Sequence, residues 1–177
     1  MALIAFAAIT GVASATHSNG TGPDKDFTDG EAKAPIATPF GVFPGQQHVN
    51  GQNTAAGGVG GQGHFWTTIF AGPPIFAPGT VETLSGDITC LNAVANQEVD
   101  SGLITDSTGP VNVTGLGVIG KHVDNGEPGS VQGGGSPPDL AGGSLLPAPL
   151  AACPPPAFVG VPLFPVDQGN FVVHDGI

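Results

Sequence analysis

Short apolar runs with β-branched or aromatic residues, each ended by glycine, proline or an Asn/Asp cluster, set the pattern from His64 onward in this 177-residue chain. His64–Phe70 (HFWTTIF) predicts a strand, stopped by Gly72-Pro73-Pro74. A second strand is expected near Gly79 to Leu84. Asp87 to Val94 and Glu98 to Thr105 form the next pair, joined through the hairpin turn Ala95-Asn96-Gln97. Alternation puts Ile88, Cys90 and Asn92 on one face and Thr89, Leu91 and Ala93 on the other, so Cys90 points inward. Val111 to Val123 reads as a strand interrupted by Gly115, Gly117 and Gly120, which signal bulges or the close approach of a neighbouring strand. Asn170 to His174 is the closing strand. No apolar set recurs at helical spacing outside the first residues. The expected fold is all-β: a small antiparallel β-sandwich or partly open barrel with long Gly/Pro-rich loops.

The remaining segments divide the chain into three. Residues 1–15 (MALIAFAAITGVASA) are a short apolar run ending in Ala13-Ser14-Ala15, the small-x-small pattern of a signal peptide cleaved after Ala15. The alternative is a first element of the mature fold. Residues 16–62 read as a poorly ordered Gly/Pro/Asp-rich leader, with Ile36–Phe43 as an edge strand at most and Asn50–Gly63 as a flexible linker. Residues 63–177 form the β domain. Within it, Ser130–Pro165 is too proline-dense for regular structure.

Composition narrows the function. Glycine (30) and proline (18) make up about 27% of the chain, yet 40% is hydrophobic, which suits a small β core carrying long loops. Fourteen acidic residues face only Lys25, Lys33 and Lys121, with no arginine, for a formal net charge of −11. Phosphate backbones and anionic lipid surfaces are bound by cationic side chains, so nucleic acid and such membranes are excluded as partners. No apolar run reaches the length of about 20 residues a spanning helix needs, and no membrane insertion is expected. Cations, neutral glycans and other proteins remain. Cys90 and Cys153, in a chain expected to be exported, predict one disulfide.

Candidate chemistry is sparse. Asp124, Asn125 and Glu127, joined by Asp139, offer the oxygen ligands a hard cation such as Ca²⁺ prefers, though Asn-Gly and Glu-Pro-Gly also form turns unaided. No two of the five histidines lie within four residues. His64, His122 and His174 converge on a zinc-type site only if their strands are neighbours. No Gly-x-Ser-x-Gly elbow or phosphate loop is present, so neither nucleophilic catalysis nor nucleotide binding is expected. Trp66 should face away from Phe65, either exposed for glycan stacking or anchoring the core.

Ile88-Thr89-Cys90-Leu91-Asn92, Val123-Asp124-Asn125-Gly126-Glu127-Pro128-Gly129 and Gly169-Asn170-Phe171-Val172-Val173-His174 together resemble a group of secreted bacterial β-domain proteins. The chain is also similar to the modules known as post-COAP domains. The resemblance covers roughly Gly63 to Asp175 and implies export and a β fold, with no reaction attached. Gln97-Glu98-Val99-Asp100-Ser101 departs from the more apolar and glycine-rich pattern of that group. The function expected is a secreted, non-enzymatic structural or interaction module with an extracellular protein or glycan as partner and no cofactor. The alternative is a small Ca²⁺- or glycan-binding module.

Overall fold

The structure is a computed structural model that describes residues 25–55, 58–71, 79–126 and 137–175. It is all-β. The strands are β1 (Phe27–Thr38), β2 (Gly41–Ala55), β3 (Val59–Ala71), β4 (Thr80–Val94), β5 (Gln97–Thr108), β6 (Gly117–Val123), β7 (Leu140–Leu146), β8 (Phe164–Pro165) and β9 (Gln168–His174). They form one antiparallel sheet in the order β8-β7-β6-β5-β4-β3-β2-β1-β9, curled into a half-barrel. Each strand to β8 pairs with its predecessor, and β9 returns to the free side of β1, with Phe171 opposite Gly30.

That return draws the two ends of the sheet together. β8 pairs with β7 through Leu140–Pro165 and Ala141–Phe164, and two residues later the same segment has become a ladder on β1. At the crossing the Val166 amide donates to the Asp139 carbonyl at 2.8 Å and the Asp167 amide donates to the Lys33 carbonyl at 2.8 Å. One run of chain thus spans the seam between β7 and β1.

Two apolar clusters lie on opposite faces of the sheet. The concave face gathers Ala32, Val49, Phe65, Leu84, Ile104 and Phe171, all buried. Large side chains there rest against glycines of other strands: a Cβ on Gly102 would meet the Phe65 ring at 2.5 Å across β4, and one on Gly30 would meet the Phe171 ring at 2.6 Å. Such pairing of large and absent side chains lets a small barrel fill its interior. The second cluster, Cys90, Val99, Ile119 and Cys153, lies beneath residues 147–163, which cross the outside of β4–β6 as a strap. The disulfide Cys90–Cys153, with Cα atoms 5.4 Å apart, fastens the strap, and Asn92 Nδ2 donates to the Cys153 carbonyl at 3.0 Å.

Several expectations change. The leader expected to be poorly ordered contains β1 and β2, whose ladder runs from Phe27–Gln52 to Thr38–Gly41, and Pro39-Phe40 make the turn of this hairpin. The glycines there serve packing: Gly30, Gly45 and Gly51 leave room for Phe171, Ile36 and Ile88 rather than loosening a linker. Gly79–Leu84 and Asp87–Val94 are one strand, β4, with register shifts at Ser85/Gly86 and Ile88/Cys90. The second shift separates Ile88, in the concave cluster, from Cys90, under the strap, so strict alternation fails at Thr89. The Ala95-Asn96 turn forms as expected, with Ala95 at φ 57°. Residues 109–116 loop over the mouth, and only Gly117–Val123 is strand. The proline-dense segment nevertheless supplies β7, because Leu140–Leu146 carries no proline. The proposed signal peptide lies outside the described residues.

Candidate functional site

Glu98 and Asp100 are two apart on β5 and therefore share a face, the concave one. On β6, His122 lies opposite Glu98 and Gly120 opposite Asp100. His122 Nδ1 stands 2.7 Å from Glu98 Oε2 and 3.6 Å from Asp100 Oδ1. The three side chains are buried, with exposures of 0%, 3% and 3% for Glu98, Asp100 and His122. Phe171 covers the imidazole, ring centroids 4.2 Å apart. Gly120 makes room for the group: a Cβ there would collide with Asp100 Oδ1.

This cluster has no cationic side chain to balance it. Lys121, next to His122, projects from the opposite face and donates from Nζ to the Pro156 carbonyl at 2.7 Å. Burial pushes the Glu98 carboxyl up to about 8, opposed in part by hydrogen bonding with Asp100. Burial, then the neighbouring Glu98, raises Asp100 to about 8. Burial lowers His122 against the upward pull of Asp100 and Asp139. Beyond their own pair, Glu98 Oε1 and Asp100 Oδ1 find no hydrogen-bond partner. Buried carboxylate oxygens left in this state cost several kcal/mol unless a proton or a cation joins them.

Asp100 and His122 form the floor of a cavity of about 130 Å³ in the barrel interior. Its walls are mainly apolar, among them Val49, Phe65, Leu84 and Val118, with Gln47 and Thr67 adding polar points. The β1–β2 turn with Phe40, the residue 109–116 loop with Val111 and Val113, and Glu82 of β4 line its outer part.

The residues singled out from sequence are placed differently. Asp124 Oδ1 accepts from the Gly126 amide at 2.7 Å and its Oδ2 accepts from the Val173 amide at 3.2 Å. Asp139 Oδ1 accepts from the Asn125 amide at 2.8 Å and its Oδ2 accepts from the buried Phe171 amide at 2.9 Å. Asn125 Nδ2 donates to the Pro138 carbonyl at 2.7 Å. These side chains clasp the ends of β6, β7 and β9. Glu127 lies outside the described residues. The three histidines do not converge: His64 pairs with Asp87 at 2.8 Å on the exposed outer face, His174 stacks on Phe27 at 5.0 Å, and His122 alone is in the cluster. Trp66 does face away from Phe65, half-buried on the outer surface and stacked on His48 at 5.9 Å.

Glu98 and Asp100 are not among the candidate residues the sequence singles out. Their signal was present in Glu98-Val99-Asp100, two acids at strand spacing on a face that continues into Gly102 and Ile104. Comparison with protein-family models, curated proteins and solved structures finds no match for this chain.

Proposed function

We propose that this chain is an exported, non-enzymatic binding module whose barrel interior takes a compact, largely apolar molecule with one polar group directed at Asp100 and His122. The observation that carries this reading is the apolar cavity ending on a buried polar floor, the form that small-molecule sites take. At about 130 Å³ it suits a ligand on the order of six to ten heavy atoms, since cavities near 150 Å³ hold benzene. Part of the outward face of β1 and β2 is polar, with Asn50 Nδ2 donating to Asp29 Oδ1 at 3.0 Å and Gln46 bonded to Glu31, while Val42 near the turn is 56% exposed. Export is supported by the buried disulfide and the apolar N-terminal run.

The test is thermal unfolding with toluene, p-cresol and benzoate, because a ligand bound only by the native state raises the midpoint. At least one should raise it by several degrees, and Thr67→Phe, which fills the cavity from β3, should abolish the rise while leaving the far-UV spectrum unchanged. An equal rise in the variant, or none with any probe, refutes the reading. A second reading, docking to a protein partner, is favoured by Phe158 in the strap, 81% exposed beside the disulfide that holds it.

A further inference from the structure

The shortest contact in the buried cluster raises a question of charge. His122 Nδ1 is 2.7 Å from Glu98 Oε2, so a positive centre, either a proton or a metal ion, must lie between a ring nitrogen and a carboxylate oxygen that would otherwise repel each other. The same nitrogen faces Asp100 Oδ1 at 3.6 Å. One ligand atom from each of the three side chains falls within 4.8 Å of the others. A single proton satisfies the His122–Glu98 contact alone. It leaves Glu98 Oε1 and Asp100 Oδ1, both fully enclosed, with no hydrogen-bond donor outside the cluster.

We propose that Glu98, Asp100 and His122 form a divalent metal site, with Zn²⁺ the ion its ligands suit, held at the floor of the barrel by three protein ligands. Two carboxylates and a neutral imidazole carry a formal charge of −2, which one divalent ion cancels where Lys121 does not reach. An imidazole nitrogen with carboxylate oxygens is a ligand set that suits zinc and its first-row neighbours better than Ca²⁺, which takes six to eight oxygens. Three ligands leave a fourth tetrahedral position, and because Asp100 and His122 line the cavity, that position faces it. The architecture supports the ligands from behind: Gly120 leaves space for the Asp100 carboxylate and Phe171 fixes the plane of the imidazole. Binding displaces the protons that the ligands hold in the metal-free chain and releases them to solvent. The site stands whether or not the cavity takes an organic ligand.

The experiment is titration of the purified, EDTA-stripped protein with Zn²⁺ by calorimetry in two buffers of different ionisation enthalpy, beside Glu98→Gln and Asp100→Asn. The wild type should bind one ion per chain with proton release, and each variant should bind more than about tenfold more weakly. Equal affinity in the variants assigns the ion to the outer histidines His48, His64 or His174 and overturns the proposal, as does the absence of binding by the wild type. Should the variants fail to fold, Co²⁺ added to the wild type decides the matter. Intense visible absorption of a tetrahedral centre supports the buried site, and the weak spectrum of an octahedral ion at the surface refutes it.

Discussion

Glu98 and Asp100 hold protons at a pH where exposed carboxyls have lost them, and this has a direct consequence for stability. A carboxyl whose value is raised on folding stabilises the native state below its unfolded value and loses that contribution as pH rises through its folded value. That window runs from about 4.5 to about 8 for Glu98 and from about 3.8 to about 8 for Asp100. His122, lowered by burial, works in the opposite sense below its ordinary value, but it is one group against two. In EDTA the melting temperature should therefore fall between pH 5 and pH 8, and the slope should flatten in the Glu98→Gln, Asp100→Asn double variant. A midpoint that climbs over this range would show that these carboxyls are ionised when folded. Asp139 makes a second test at this scale. Its carboxylate accepts from the Asn125 and Phe171 amides, and Asp139→Ala would leave the buried Phe171 amide unsatisfied. The loss should be about 3 kcal/mol, read as a fall in midpoint of roughly 10 °C. Sequence alone placed Asp124, Asn125 and Asp139 together as oxygen donors. It could not show that backbone amides a strand away take up the two carboxylates, because that depends on where β9 returns.

Among the elements, β5 and β6 carry the site, and their register determines it. Asp100 fits only because position 120 lacks a side chain. Gly120→Ala should cost about 1–3 kcal/mol through overpacking and should weaken Zn²⁺ binding by displacing the Asp100 carboxylate. Retained affinity in this variant would mean that Asp100 is not a ligand. The strands with β-branched and aromatic runs, β3 from His64 onward, the second half of β4 and β9, were legible in the sequence, as was the Ala95-Asn96 turn, whereas Val59–Gly63 of β3 reads as linker. β1 and β2 were not, because half of their inward positions are glycine or alanine and their apolar period is faint. A glycine whose missing side chain is replaced by a phenylalanine eight strands later in sequence, as Gly30 is by Phe171, looks the same as one in a linker. The bulge at Thr89 hid in the same way: it moves Cys90 from the concave face to the outer one, and no local residue type announces it.

On the scale of the whole molecule, the strap and the seam carry the long-range connections. The disulfide closes a separation of 63 residues and, in the chain-entropy picture, contributes about 4 kcal/mol. Reduction should lower the midpoint of unfolding and make the strap more accessible to protease than β4–β6, whose ladders are independent of it. Unchanged proteolysis on reduction would show that the packing of Leu150, Val159 and Val161 holds the strap by itself. The seam has a consequence in time. β1 has one neighbour available as soon as β2 exists, but its other neighbour, β9, begins 130 residues after β1 ends. While a ribosome still holds β9, the nascent chain presents β1 as a bare sheet edge and the metal ligands without Phe171 over them. Completion of the barrel and shielding of the site are therefore a single late event, so a chain arrested before Gln168 would expose an edge open to pairing with its neighbours on the same message.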